Sequence, residues 1–279
     1  MFGVLLAIFG ALFGEASSSI GKSAFERRYE SVYAMGFLDS LWGAAFFLIL
    51  LLFWPHLSLA LPAWKTLGMR TVFEIFQAFM VVTAVAKSER SSFGFIRTGT
   101  IPLLLLADLL LGYAIGPLQI LGMIVICGAL LFLFMNHGLS RKGLGYTLAA
   151  TINAVLTISL FKYDISHGNS LVLEQFLIYT VLIAFFYLTS RCLAKEHPFH
   201  LLKKPLLSFQ SAAQGVGGLF GSFAYQFAPA SVIIAAVRSS SILFSIIAGQ
   251  KYFHEKKLGL KAVAFLACAF GILLLTISK

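Results

Sequence analysis

Residues 230–275 read ASVIIAAVRSSSILFSIIAGQKYFHEKKLGLKAVAFLACAFGILLL. Two apolar runs flank the charged turn Tyr252–Lys257. Each run approaches the roughly 20 residues that cross the hydrocarbon core of a bilayer. A single arginine, Arg238, sits inside the first run. Working outward, the same kind of run recurs along the whole chain. Spans are predicted near 2–21, 33–54, 66–86, 91–111, 117–136, 144–162, 169–190, 206–226, 229–252 and 258–278. Connections between them are too short for a soluble domain. The expectation is an all-α integral membrane bundle of about ten transmembrane helices, forming one domain over 1–279.

Composition agrees with this reading. Of 279 residues, 59% are hydrophobic and 11% charged. A soluble domain is nearer half apolar and a quarter charged, and could not bury such an excess. The first run lacks a preceding basic segment and a small-residue cleavage site, so it is expected to remain as span 1. Cys127, Cys192 and Cys268 are odd in number and lack metal-ligand spacing, and they read as apolar filler. The six histidines lie near loops without zincin spacing. Neither a metal nor another cofactor is expected.

The net charge of +10 reads as topology and not as nucleic-acid binding. Most Lys and Arg follow odd-numbered spans, from Lys22, Arg27 and Arg28 to Lys256, Lys257 and Lys261. The other side holds Lys65, Arg70, Lys162 and Lys279. The positive-inside rule places the basic face in the cytoplasm and both termini outside.

A repeat is visible within the chain. Arg97-Thr98-Gly99-Thr100 in span 4 matches Arg238-Ser239-Ser240-Ser241 in span 9, with 141 positions between the arginines. The same interval separates Cys127 from Cys268. A duplicated unit of five spans enters on one side and leaves on the other, so its second copy is upside down. Inverted repeats, here about 1–138 and 139–279, are typical of secondary transporters with a site near the midplane.

On these residues the chain resembles the drug/metabolite transporter superfamily, and within it the EamA-like ten-helix permeases. Residues 230–275 look like that family's closing helix pair, with Glu255 at the position of its turn glutamate. The mid-helix proline of the family is present in the first half as Pro102 and absent from the second, around Ile242. The resemblance implies a small-molecule permease working by alternating access. It also implies cytoplasmic termini, opposite to the charge count.

Ionisable groups within spans cost a few kcal/mol each and so face a bundle interior or a wet cavity. Helical spacing groups Arg97, Thr100 and Asp108 on span 4, and Ser231, Arg238, Ser241 and Ser245 on span 9. It also aligns Glu15, Ser18, Ser19 and Lys22 on span 1, Glu74 and Gln77 on span 3, and Gln210 and Gln214 on span 8. On span 6 it joins Tyr146, Asn153, Thr157 and Asp164. Spans 1, 3, 4, 6, 8 and 9 are therefore expected to line one cavity. The predicted substrate-binding residues are Arg97, Arg238, Glu15, Glu74, Gln77, Asn153, Gln214 and Ser241. Arg97 and Arg238 enter from opposite faces, roughly 9 and 14 Å deep at 1.5 Å per residue. Their planar forks suit a carboxylate or phosphate. The alternative is a permanent pairing with Glu15, Asp39, Glu74 or Asp108 that locks helices together. Glu15 and Glu74 are candidates both for a coupling proton and for such counter-ions. Gly10 with Gly14, and Gly217 with Gly221, read as helix-packing pairs. Tryptophans near span ends read as interface anchors.

The partners expected are a small polar solute, the lipid of a plasma or inner membrane, and a coupling proton, with the chain a monomer or homodimer. A flippase for a lipid-linked solute is the second reading, and a membrane-embedded lipid-modifying enzyme the third.

Overall fold

A computed structural model describes residues 2–54, 58, 63–110, 116–227 and 230–277. The chain is a helical bundle in these elements: α1 Phe2–Glu26, α2 Val32–Phe53, α3 Ala63–Lys87, α4 Arg90–Thr98, α5 Thr100–Leu110, α6 Pro117–Met135, α7 Leu144–Ser166, α8 Leu171–Thr189, α9 Pro198–Leu201, α10 Pro205–Phe227, α11 Ala230–Phe253 and α12 Leu258–Ile277. A π-helical turn, Ser190–Ala194, extends α8. Among the described residues there is no strand.

Among the described residues, seven helices are long and apolar enough to cross a membrane. Helix also covers the three other predicted spans, each with a feature that sets it apart. Span 4 is divided at Gly99 into α4 and α5. Span 8, α10, is diluted by Gln210, Gln214 and four glycines. Span 10 is a shorter apolar helix, Leu258–Leu274, within α12. Apolar side chains face outward all around the bundle, including Phe9 on α1, Phe53 on α2, Ile124 and Met135 on α6, and Leu266 and Phe270 on α12. Buried groups include Glu15, Arg70, Arg90, Glu174, Gln210 and Arg238. Oily outside and charged inside is the arrangement of a protein solvated by lipid. The chain is a multi-pass α-helical membrane protein.

The break in span 4 has a local cause. Pro102 lacks an N–H and would clash with the carbonyl of Thr98 in a continuous helix. In the first turn of α5 its missing N–H costs nothing. The interruption leaves Arg97 in the last turn of α4, where its charge meets the negative end of the helix dipole. Thr100 Oγ1 donates to the Arg97 carbonyl at 2.8 Å. Asp108 and Ser231, assigned to polar stripes by spacing, have side chains outside the described residues, as does Lys279.

Neighbours in the bundle are far apart in sequence. Helix α1 packs on α10 and α11; α2 on α8 and α10; α3 on α7 and α8; α4 on α7 and α11; and α6 on α12. The two glycine pairs meet each other. A Cβ at Gly10 would lie 3.0 Å from the Gly217 carbonyl oxygen and 3.0 Å from the Gly221 nitrogen. A Cβ at Gly217 would lie 2.9 Å from the Gly10 oxygen. Both contacts are with backbone, which cannot rotate aside. Gly217→Val is therefore expected to force α1 and α10 apart and lower the melting temperature of the purified protein. Overpacking of this kind costs about 1–3 kcal/mol. An unchanged melting curve would contradict the close crossing.

Loops fasten the bundle at both faces. On the basic face, Glu255, in the turn before α12, accepts from the backbone N–H groups of Arg90 and Ser91 and caps α4. Lys261 Nζ lies 3.0 Å from Glu255 and 3.5 Å from Glu89. Lys22 Nζ donates to the Ser88 carbonyl at 2.7 Å. Also on this face, Glu196, after α8, accepts from Ser31 Oγ at 2.8 Å at the start of α2. Across the membrane, Ser58, after α2, accepts from the Ser170 N–H at 2.8 Å at the start of α8. The last two contacts each tie the start of one helix, α2 or α8, to the segment that follows the other.

Candidate functional site

Inside the bundle is a cavity of about 210 Å³. Helix α1 brings Glu15 and Ser18 to it, α4 brings Arg97, α10 brings Gln214, and α11 brings Arg238 and Ser241. Glycines of α1, α4 and α10 form part of its wall, so backbone lies where side chains would otherwise fill the space. Five of the eight predicted site residues converge here. A second cavity of about 340 Å³ extends from Arg97 toward the face opposite the basic loops. It is lined by Glu74 and Arg70 of α3, Thr157 of α7, Gln175 and Tyr179 of α8, and Tyr225 of α10. Arg97, Gly218 and Gly221 border both cavities.

Gln77 and Asn153 line neither cavity. Asn153 Nδ2 donates to Gln77 Oε1 at 3.0 Å and to the Phe73 carbonyl at 2.9 Å. The two side chains satisfy each other and tie α3 to α7. Spacing placed each on an inward face but could not say that the two faces meet.

The charges are distributed unevenly. Glu15 is ion-paired with Arg90, which is fully buried. Glu74 pairs with Arg70 at 3.3 Å, and Arg70 also binds Glu174 and, at 3.2 Å, Gln175 Oε1. Arg97 and Arg238 make no ion pair among the described residues. The buried Nε of each has no hydrogen-bond partner. The Arg97 guanidinium lies 5.4 Å from the Phe93 ring centroid, and Arg90 lies at 5.4 Å from the same ring. Around the smaller cavity, three guanidinium groups therefore stand against one carboxylate. An uncompensated charge in such a place costs several kcal/mol. A bound anion with two acceptor oxygens would offset that cost and take up the free N–H groups.

Some members of the site escaped sequence reading. Arg90 and Arg70 lie near predicted span ends and read as loop charges, although both are buried. Glu174, in the first turn of α8, is also buried. Their signal was a carboxylate partner on another helix, which helical periodicity does not reveal.

The chain matches no protein-family model, and no curated protein is detectably similar to it.

Proposed function

We propose that the chain is a secondary transporter that moves a small anionic or zwitterionic metabolite by alternating access. The carrying observation is the pair of unpartnered guanidiniums, Arg97 and Arg238, at one internal cavity. In this reading ten spans form two inverted five-helix repeats, about 1–138 and 139–279, of the drug/metabolite transporter kind, in a plasma or inner membrane.

Helix packing supports the repeat. Exchange α1 with α7, α2 with α8, α3 with α10, α4 with α11 and α6 with α12. The contact of α1 with α10 becomes that of α7 with α3, and α1 with α11 becomes α7 with α4. The contact of α2 with α10 becomes α8 with α3, while α2 with α8, α4 with α11 and α6 with α12 map onto themselves. Each of these pairs is in contact. The contacts at Ser31 and Ser170 fit the same exchange. Two equivalent halves can rock about a central site and exchange roles.

Arg97 and Arg238 bind the anionic group, Gln214 and Ser241 offer neutral hydrogen bonds, and Glu15 holds Arg90 in place. Rocking would break one set of loop contacts while keeping the other. The test is a panel of small carboxylates and phosphate esters scored by thermal stabilisation in detergent, followed by counterflow of the best ligand in vesicles. Binding raises apparent stability by mass action. Anions should stabilise and matched neutral analogues should not; a panel in which charge makes no difference would refute the reading.

One observation favours a flippase instead. An apolar groove of about 440 Å³ runs between α1 and α11, and Glu15 lines both it and the central cavity. Scrambling of a labelled lipid without saturable solute counterflow would select that reading.

A further inference from the structure

Glu30 lies in the turn between α1 and α2, outside the spans, yet is only 3% exposed. Neither carboxyl oxygen has a hydrogen-bond partner. Opposite it is Gln210 of α10, fully buried, with both amide atoms also unpartnered. The amide acts on both Glu30 and Asp39 of α2, but as placed it meets hydrogen-bond geometry with neither. Asp39 accepts a long hydrogen bond, 3.4 Å, from Ser17 Oγ of α1. The charges acting on Glu30 are Asp39, Glu196 after the π turn, and Lys204 before α10. Arg90, already engaged by Glu15, is the cation acting on Asp39. Two carboxyls thus share an enclosed site in which neither is ion-paired among the described residues.

The opposite face shows what a cation does in the equivalent place. Exchanging the halves relates α10 to α3 and the start of α2 to the start of α8. There Arg70 of α3 binds Glu174 of α8, and Asn169 donates to Glu174 at 3.2 Å. On the basic face the group of α10 that faces the carboxyls is Gln210 and not an arginine. A glutamine offers one acceptor and one donor, which a neutral carboxylic acid complements and a carboxylate does not.

We propose that Glu30 and Asp39, with the unpartnered amide of Gln210 facing both, form a proton-binding site that couples movement of the anionic solute to protons. The proposal rests on the transporter reading. In this conformation the site holds a proton. Glu30 gives it to the solution at the basic face when that face opens, and takes one back when it closes. The polar file Glu30, Gln210, Asp39, Ser17 runs from the loop toward the wall that carries Glu15 and Ser18. Gln214, one turn from Gln210, already lines the cavity. Glu15 and Glu74, the acids first expected to carry a coupling proton, are each engaged by an arginine. Burial, the Asp39 charge and Glu196 push the Glu30 carboxyl up to about 8, against the weaker opposing effects of Gln210 and Lys204.

The sign of the pH dependence follows. A carboxyl whose folded value is raised favours the fold below its unfolded value, and that support is lost as pH rises through the folded one. The apparent melting temperature of the solute-free protein should therefore fall between about pH 4.5 and about pH 8. An infrared band of a protonated carboxyl should be present at neutral pH and disappear with a midpoint near pH 8. Glu30→Gln should remove the band and flatten the melting profile. Gln210→Lys, which supplies a cation, should remove the band while leaving both acids in place. Absence of the band in the wild type, or its survival in both Glu30→Gln and Gln210→Lys, would overturn the site. These readings need no solute, so they stand even if the transporter reading fails. Conversely, anion counterflow that ignores a pH gradient in the wild type would overturn the coupling while leaving transport intact.

Discussion

Arg238→Gln should weaken binding of the anionic solute by roughly thirty-fold to several thousand-fold while making the empty protein more stable. The first half follows from removing a charged donor that meets a desolvated anion, a loss of about 2–5 kcal/mol, with each 1.4 kcal/mol a factor of ten. The second half follows because Arg238 makes no ion pair among the described residues. Arg238 is 6% exposed, lines a cavity with Arg97, and leaves its Nε unpartnered. Taking away a buried like charge removes a cost from the folded state. Opposite signs for stability and affinity are the mark of a site held ready for a ligand. A structural arginine would lose both together. Arg97→Gln should behave the same way, because its buried Nε is likewise unpartnered. Arg238→Lys sharpens the test. It keeps the charge but loses the planar fork, so a bidentate carboxylate or phosphate should bind it more weakly than wild type. Thermal melts of the three variants with and without the best anion would measure all of these effects.

Much of the site could be read from the chain because intramembrane charge is rare. Arg97 and Arg238 stood out in apolar runs, and their shared interval suggested the repeat. The glycine pairs were legible as packing surfaces, though not that they pack against each other. The division of span 4 was signalled by Gly99 and Pro102, yet hydropathy alone reads 91–111 as one run. What the chain conceals is which inward face meets which. Gln77 and Asn153 looked like site residues and instead satisfy one another. Arg70 and Arg90 looked like loop charges and are held inside by Glu174 and Glu15. Glu30 gave no signal, because a carboxylate in a short turn normally faces water; its burial comes from the start of α10 and from the segment after α8, both far away in sequence.

The second large effect concerns the ion pair beneath the site. Glu15→Ala should destabilise the protein by about 3–5 kcal/mol, because it leaves a buried charge without its partner. Arg90 is completely buried, and its only side-chain hydrogen bond among the described residues is to Glu15; its Nε and Nη1 already lack partners. Without the carboxylate, Arg90 would lose its ion-pair partner and would stand with Arg97 and Arg238 as one of three like charges. The same argument predicts recovery. Glu15→Met combined with Arg90→Met replaces the pair by apolar side chains, and such exchanges are often neutral or stabilising. The double variant should therefore melt well above Glu15→Ala, giving a coupling energy that a cycle of single and double substitutions measures. Glu15→Gln decides whether Glu15 carries a proton in this conformation. A protonated Glu15 would be mimicked by glutamine and the melting temperature would hold. An ionised Glu15 paired with Arg90 predicts a drop close to that of Glu15→Ala, and a high melting temperature for Glu15→Gln would return the coupling proton to the central cavity.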